Sequence, residues 1–195
     1  MNDFSRGKSA SAGTDIVRDV LVEAFGASAT PFVPLPFVDD YLRARLLRRI
    51  AKKILARHML ASPSLPRAIV GGYVKEGASS LGRSIVVGAA RFVVRKAAIV
   101  LDVKKSYDVF GESIAFALAL DIACARGWVH DGSAAKVGGA IHRALQSVGS
   151  GALEALVRAA REAAGTGGPA GVAGAISTEI EKIRLQLEAI LRQER

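Results

Sequence analysis

A chain of 195 residues and 20.4 kDa has room for one domain with its own core. Half of the residues are hydrophobic but only 6% are aromatic, so Ala, Val, Ile and Leu carry the apolar content; that composition excludes a disordered chain and favours closely packed helices over a β-sandwich. The formal net charge of +9 and a pI near 10.1 direct attention to anionic partners, while a single cysteine, Cys124, excludes a disulfide framework or a thiolate zinc site.

In chain order, Met1 to Gly13 is polar and aperiodic, and the expectation is a disordered tail over residues 1–13 ahead of a single helical domain over 14–195. Thr14 has the chemistry of an N-cap for a helix through Phe25, with Gly26 as its stop. Residues 27–36 read as a linker held extended by Pro31, Pro34 and Pro36. From Phe37 to His58 the sequence FVDDYLRARLLRRIAKKILARH predicts a basic amphipathic helix. Asp39 and Asp40 stand in its first turn, and Arg57 and His58 in its last, each where the helix macrodipole favours that charge.

Beyond Pro66 the pattern predicts helices over Arg67–Ser80, Ser84–Phe110, Ser113–Arg126, Ser133–Val148, Ala152–Ala164 and Ala170–Gln193, with breaks at Gly82, Gly111, Gly127, the pair Gly149 and Gly151, and the loop GTGGPAG. The expected fold is therefore an all-α, compact multi-helix bundle packed through Gly, Ala and Ser, with no sheet. Two segments align without a gap: VGGYVKEGASSLGRS from Val70 and VGGAIHRALQSVGSG from Val137. They read either as a recurring helix-packing unit or as coincidence in a Gly- and Ala-rich chain. Neither a secretory leader nor an apolar run of about 18 residues is present, which gives the expectation of a cytoplasmic protein.

The basic helix carries the functional reading. At about 100° per residue, Leu46, Leu47, Ile50 and Ile54 fall on one side and Arg45, Arg48, Arg49, Lys52 and Lys53 on the other, while Arg43 and Arg57 lie near the apolar arc and must extend along it. The segment just upstream supplies Phe32, Val33, Leu35 and Phe37 as an apolar anchor. Together they predict a non-enzymatic module that docks on an anionic lipid surface, at the inner face of the membrane, or on an acidic protein. The alternative is non-specific nucleic-acid binding, because cations meet phosphates but no Asn or Gln in the helix reads a base edge and no aromatic residue interleaves with the basic ones on the polar face. The bland reading of the same helix is an apolar stripe packed in cis and a solvated basic stripe.

Other motifs carry less. Gly77–Ser84, GASSLGRS, is one residue from a phosphate-cradling loop, but Arg83 replaces the required lysine and the upstream IVGGYVKE is no buried strand; a nucleotide-binding enzyme ranks third among the readings. His58, His130 and His142 lack metal-ligand spacing, so neither metal nor cofactor nor catalytic residue is expected. Asp121, in the apolar run FALALDIACA, calls for a partner, and Arg91 or Arg95 is the expected one. Finally, Ile176, Ile180, Ile183, Leu187 and Ile190 form a two-heptad seam, which fits docking in cis or homodimerisation in trans.

Overall fold

A computed structural model describes residues 4–28, 38–60, 62–81, 95–164 and 168–194. Among these residues there are eight helices and no strand: α1 (Phe4–Ser28), α2 (Val38–Arg57), α3 (Leu65–Leu81), α4 (Arg95–Ala125), α5 (Ala134–Ser147), α6 (Ser150–Ala164), α7 (Gly168–Ala175) and α8 (Ser177–Gln193). The all-α bundle expected from composition is the observed architecture.

The C-terminal half of α4 is the centre. From Ile114 to Cys124 it is buried on every side, as a helix with apolar residues all round its circumference must be, and α1, α2, α5, α6 and α8 pack around it. Ser113 enters this core by donating its hydroxyl back to the Val109 carbonyl at 2.7 Å, so that hydroxyl is not left bare. At Gly111 the sequence predicts a break, yet α4 runs straight through. The glycine serves packing instead: a Cβ there would stand 3.2 Å from Val157 Cγ2 of α6.

Two further glycines set the tightest crossing in the molecule. On α3, a Cβ at Gly72 would fall onto the Ala135 carbonyl of α5, 2.8 Å from its carbon and 2.9 Å from Cα. On α5, a Cβ at Gly138 would fall onto the Ile69 carbonyl of α3, 2.9 Å from both that carbon and the Tyr73 nitrogen. The aligned VGG segments are thus the two faces of one backbone-to-backbone contact. The glycines in contact, Gly72 and Gly138, are not the aligned pair, since Gly71 matches Gly138 and Gly72 matches Gly139; what the two segments share is absent side chains that let the helices close.

Several boundaries differ from the sequence reading. α1 begins at Phe4, so residues 4–13 are helical rather than a disordered tail; no proline interrupts them, and a helix seeded by the apolar stripe from Ile16 propagates at the cost of one residue per hydrogen bond. It also passes Gly26 and ends at Ser28, taking in the first two residues of the expected linker. The rest of that linker, with Phe32, Val33, Leu35 and Phe37, lies outside the described residues, as do Gly82 and Arg91. The C-terminal segment is two helices, parted at Ile176, where Ser177 donates its hydroxyl to the Gly174 carbonyl at 2.8 Å. Ile176, Ile180, Ile183 and Leu187 are fully buried and Ile190 packs against the same core. The heptad seam is therefore filled in cis, and pairing two chains through it would require α8 to leave its own bundle. Arg126 at the end of α4 fastens α8 by a hydrogen bond to Glu188, which with burial opposing it holds that carboxyl below the usual carboxylate range.

α2 and α4 end in the same way. At α4, Gly127 (φ +67°) lets Trp128 N–H bond to the Ala123 carbonyl and its own N–H to that of Cys124. At α2, Leu60 N–H reaches the Leu55 carbonyl and Met59 N–H that of Ala56, with Met59 itself at φ +58°. A left-handed methionine, 92% exposed, pays a conformational penalty with no packing in return. Met59→Gly is expected to raise stability by about 1 kcal/mol, read as a higher midpoint of denaturant unfolding with unchanged slope.

Candidate functional site: the exposed face of α2

The apolar stripe of α2 is spent inside the bundle. Leu47, Ile50, Ala51, Ile54 and Leu55 are buried against the core, and Leu46 lies against Gly26 of α1. With that side fixed, the 3.6-residue period points the opposite side to solvent, and Arg45, Arg48, Arg49, Lys52 and Lys53 are all exposed.

The cations of α2 divide into two sets. Arg43 pairs with Glu112 of α4, Lys53 with Glu23 at 2.8 Å and with the Asp19 carbonyl at 2.7 Å, and Arg57 with the Asp19 carboxylate at 3.0 Å. These three fasten α2 to its neighbours, and Arg43 and Arg57 extend past the apolar arc as their positions require. Arg45, Arg48, Arg49 and Lys52 have no hydrogen bond or ion pair among the described residues. They follow one another at i, i+3, i+4 and i+7, a single stripe. Lys53, grouped with them in the sequence reading, belongs to the fastening set.

One residue on this face departs from the sequence reading. Tyr41 is 60% exposed and stands four residues before Arg45, at the N-terminal end of the stripe. Its spacing to Arg45, Arg48 and Lys52 (i+4, i+7, i+11) places it with them, so the basic face does carry one aromatic ring. The face from Tyr41 to Lys52 is about 16 Å long at 1.5 Å per residue.

Two other polar groupings lie inside the bundle. Asp121, 5% exposed, is bonded at 2.7 Å to Nε2 of His58, the residue that ends α2. The partner it shows is a histidine brought over by the α2 terminus; Arg91 and the side chain of Arg95, the expected partners, lie outside the described residues. Cys124 follows one turn later on α4, buried, and its thiol is pushed up to about 12 by burial and secondarily by the Asp121 charge. Such a thiol is a poor nucleophile. The second grouping joins four helices: Tyr73 of α3 donates its hydroxyl to Glu112, Glu112 also holds Arg43, and His142 of α5 lies edge-on to Tyr73. Burial first and Glu112 second drive the Tyr73 hydroxyl well above its ordinary value, so it stays a donor.

The phosphate-loop reading of Gly77–Ser84 loses its context. The segment that would have to be a buried strand is α3, which continues through Leu81, and Gly82, Arg83 and Ser84 lie outside the described residues. Among the described residues, no three His, Cys, Asp or Glu side chains are grouped to hold a metal ion, and no helix is long and apolar enough to cross a membrane.

No family model matches the chain, and no curated protein or solved structure matches it either.

Proposed function

We propose that the chain is a non-enzymatic helical module that docks on an anionic membrane surface through the free stripe of α2, by charge and without burying that helix in the lipid. The observation that carries this reading is the division of the α2 cations: three are consumed in fastening the helix, and Arg45, Arg48, Arg49 and Lys52 face solvent together without a partner among the described residues. Because Leu47, Ile50 and Ile54 belong to the core, an interfacial helix lying with its apolar side among acyl chains is not the mode. Phe32, Val33, Leu35 and Phe37 immediately precede α2 and are assigned as the apolar anchor, giving the two signals that durable membrane attachment needs. The cytoplasmic leaflet, where anionic lipids concentrate, is the matching location.

The test is co-sedimentation of the full chain with phosphatidylcholine vesicles with and without phosphatidylserine. Each cation near such a surface contributes about 1 kcal/mol, so losing four attractions alone weakens binding on the order of a thousandfold, and replacing Arg45, Arg48, Arg49 and Lys52 by Glu, which adds repulsion, is expected to weaken it further while the helical circular dichroism is kept. Lys53 is left in place because its reversal would also break its pair with Glu23. Undiminished vesicle binding by the variant overturns the reading, and binding that requires an acidic protein rather than lipid reassigns the partner.

Tyr41 favours a second reading. An exposed ring in line with three arginines offers a base a surface to stack on and its phosphates cations to meet, the combination used for single strands without sequence preference. Competition of vesicle binding by a single-stranded oligonucleotide, lost in Tyr41→Ala, distinguishes it.

A further inference from the structure

His142 sits where four helices meet. Its imidazole stands edge-on to the Tyr73 ring, with 5.1 Å between centroids and 77° between planes, and the residue is 8% exposed. It lies one turn beyond Gly138, the glycine whose face is closed by the backbone of Ile69 and Tyr73, so the ring is clamped beside the tightest crossing in the molecule. The charged groups around it come from every helix packed there: Arg43 from α2, Glu76 from α3, Glu112 from α4 and Arg143 from α5. Arg143 is itself held by Glu76 at 2.9 Å and, beyond α8, by Glu194 at 2.6 Å.

The imidazole holds a proton poorly on its enclosed side. Nδ1 is buried with no hydrogen-bond partner among the described residues. A neutral ring can leave there an unpaired acceptor, whereas an imidazolium makes it an unpaired donor and adds a charge to a largely buried side chain. Of the two carboxylates beside it, Glu112 is already committed, since it accepts from Tyr73 and pairs with Arg43, and Glu76 pairs with Arg143. Burial dominates the balance: Glu112 and Glu76 favour the charged ring, Arg43 and Arg143 oppose it, and the net effect holds the imidazole below its ordinary value.

We propose that His142 is an acid-sensitive latch: neutral, it lets α3 and α5 close at their glycine crossing with Tyr73 seated on Glu112; protonated, it forces the junction of α2, α3, α4 and α5 apart. The direction follows from linkage. The unfolded chain takes up this proton near pH 6.5, the folded chain only at lower pH, so the contribution is fully present above about pH 6.5 and is lost as pH falls through the window beneath it. One proton changes the folding constant by at most about tenfold per pH unit.

Denaturant unfolding of the full chain between pH 7.5 and pH 5, in the wild type, in His142→Phe and in His142→Gln, tests the latch. Phe keeps a ring against Tyr73 and Gln keeps a polar group, but neither takes up a proton. The expected result is a wild-type folding constant that falls on acidification by up to about tenfold per unit, and variants whose fall is shallower by that one-proton contribution. In parallel, the imidazole resonance of His142 in the wild type should titrate below the ordinary imidazole value. Equal pH slopes in wild type and both variants overturn the proposal, as does a His142 resonance titrating at or above the ordinary imidazole value. If neither variant folds, the resonance decides alone.

Discussion

Alanine at Gly138 is expected to cost about 3 kcal/mol or more, lowering the thermal midpoint by roughly 6–12 °C for a chain of this size, whereas alanine at Gly71 is expected to raise stability by about 0.5–1 kcal/mol. Both glycines are helical and they occupy equivalent places in the two aligned VGG segments, so intrinsic propensity favours alanine equally at each. The difference is what a methyl group meets. At Gly71 there is nothing within 4 Å; at Gly138 the added carbon falls onto the Ile69 carbonyl, with the Tyr73 nitrogen 2.9 Å away. These are backbone atoms, which no rotamer change moves aside, so α3 and α5 must separate along their length. The separation also lifts Ile69, Val70, Ile141 and Ala144 out of their packing. Calorimetric midpoints of the two single variants give the comparison, and a Gly138→Ala variant as stable as Gly71→Ala would show that the crossing is looser than described.

The second large effect concerns the pair that joins the end of α2 to the last turn of α4. His58→Leu is expected to destabilise by about 2–3 kcal/mol, because it leaves the Asp121 carboxylate in the core without its partner at 2.7 Å. His58 retains some exposure, which lets water offset part of that cost and keeps the figure below that of a fully enclosed charge. The double variant His58→Leu, Asp121→Leu is expected to be more stable than His58→Leu alone, since the unpaired carboxylate is then gone. A double-mutant cycle by urea unfolding measures this coupling, and additive losses would mean that Asp121 finds solvent when His58 is removed.

What the sequence made legible follows from how far apart the determining residues lie. The free face of α2 was readable because a 3.6-residue period needs only neighbours to define it, and the same local rule assigns Tyr41 to that face by its spacing from Arg45 and Arg48. The assignment of Lys53 was not readable, because its partner Glu23 lies on another helix. Gly111 and Gly138 look alike in a sequence; whether a glycine ends a helix or admits a neighbouring one depends on the neighbour. Gly127, which does end α4, differs from both in its positive φ. The alignment of Val70–Ser84 with Val137–Gly151 does not reveal that the two segments pack on each other, which they do through the non-equivalent Gly72 and Gly138. The partition of the C-terminal segment at Ile176 had no local mark, since an apolar residue in register with the seam gives no sign of a break. The Arg43, Tyr73, Glu112 and His142 grouping draws one residue from each of four helices, so no window of the sequence contains it.

The placement of Cys124 has an experimental meaning. A lone thiol in the enclosed C-terminal half of α4, protonated at neutral pH, is invisible to alkylating reagents for as long as that half stays covered. Opening the bundle both exposes that sulfur and restores its ordinary acidity. The native chain therefore carries its own gauge of how often its centre breathes, without an introduced label and without a second cysteine to confuse the count.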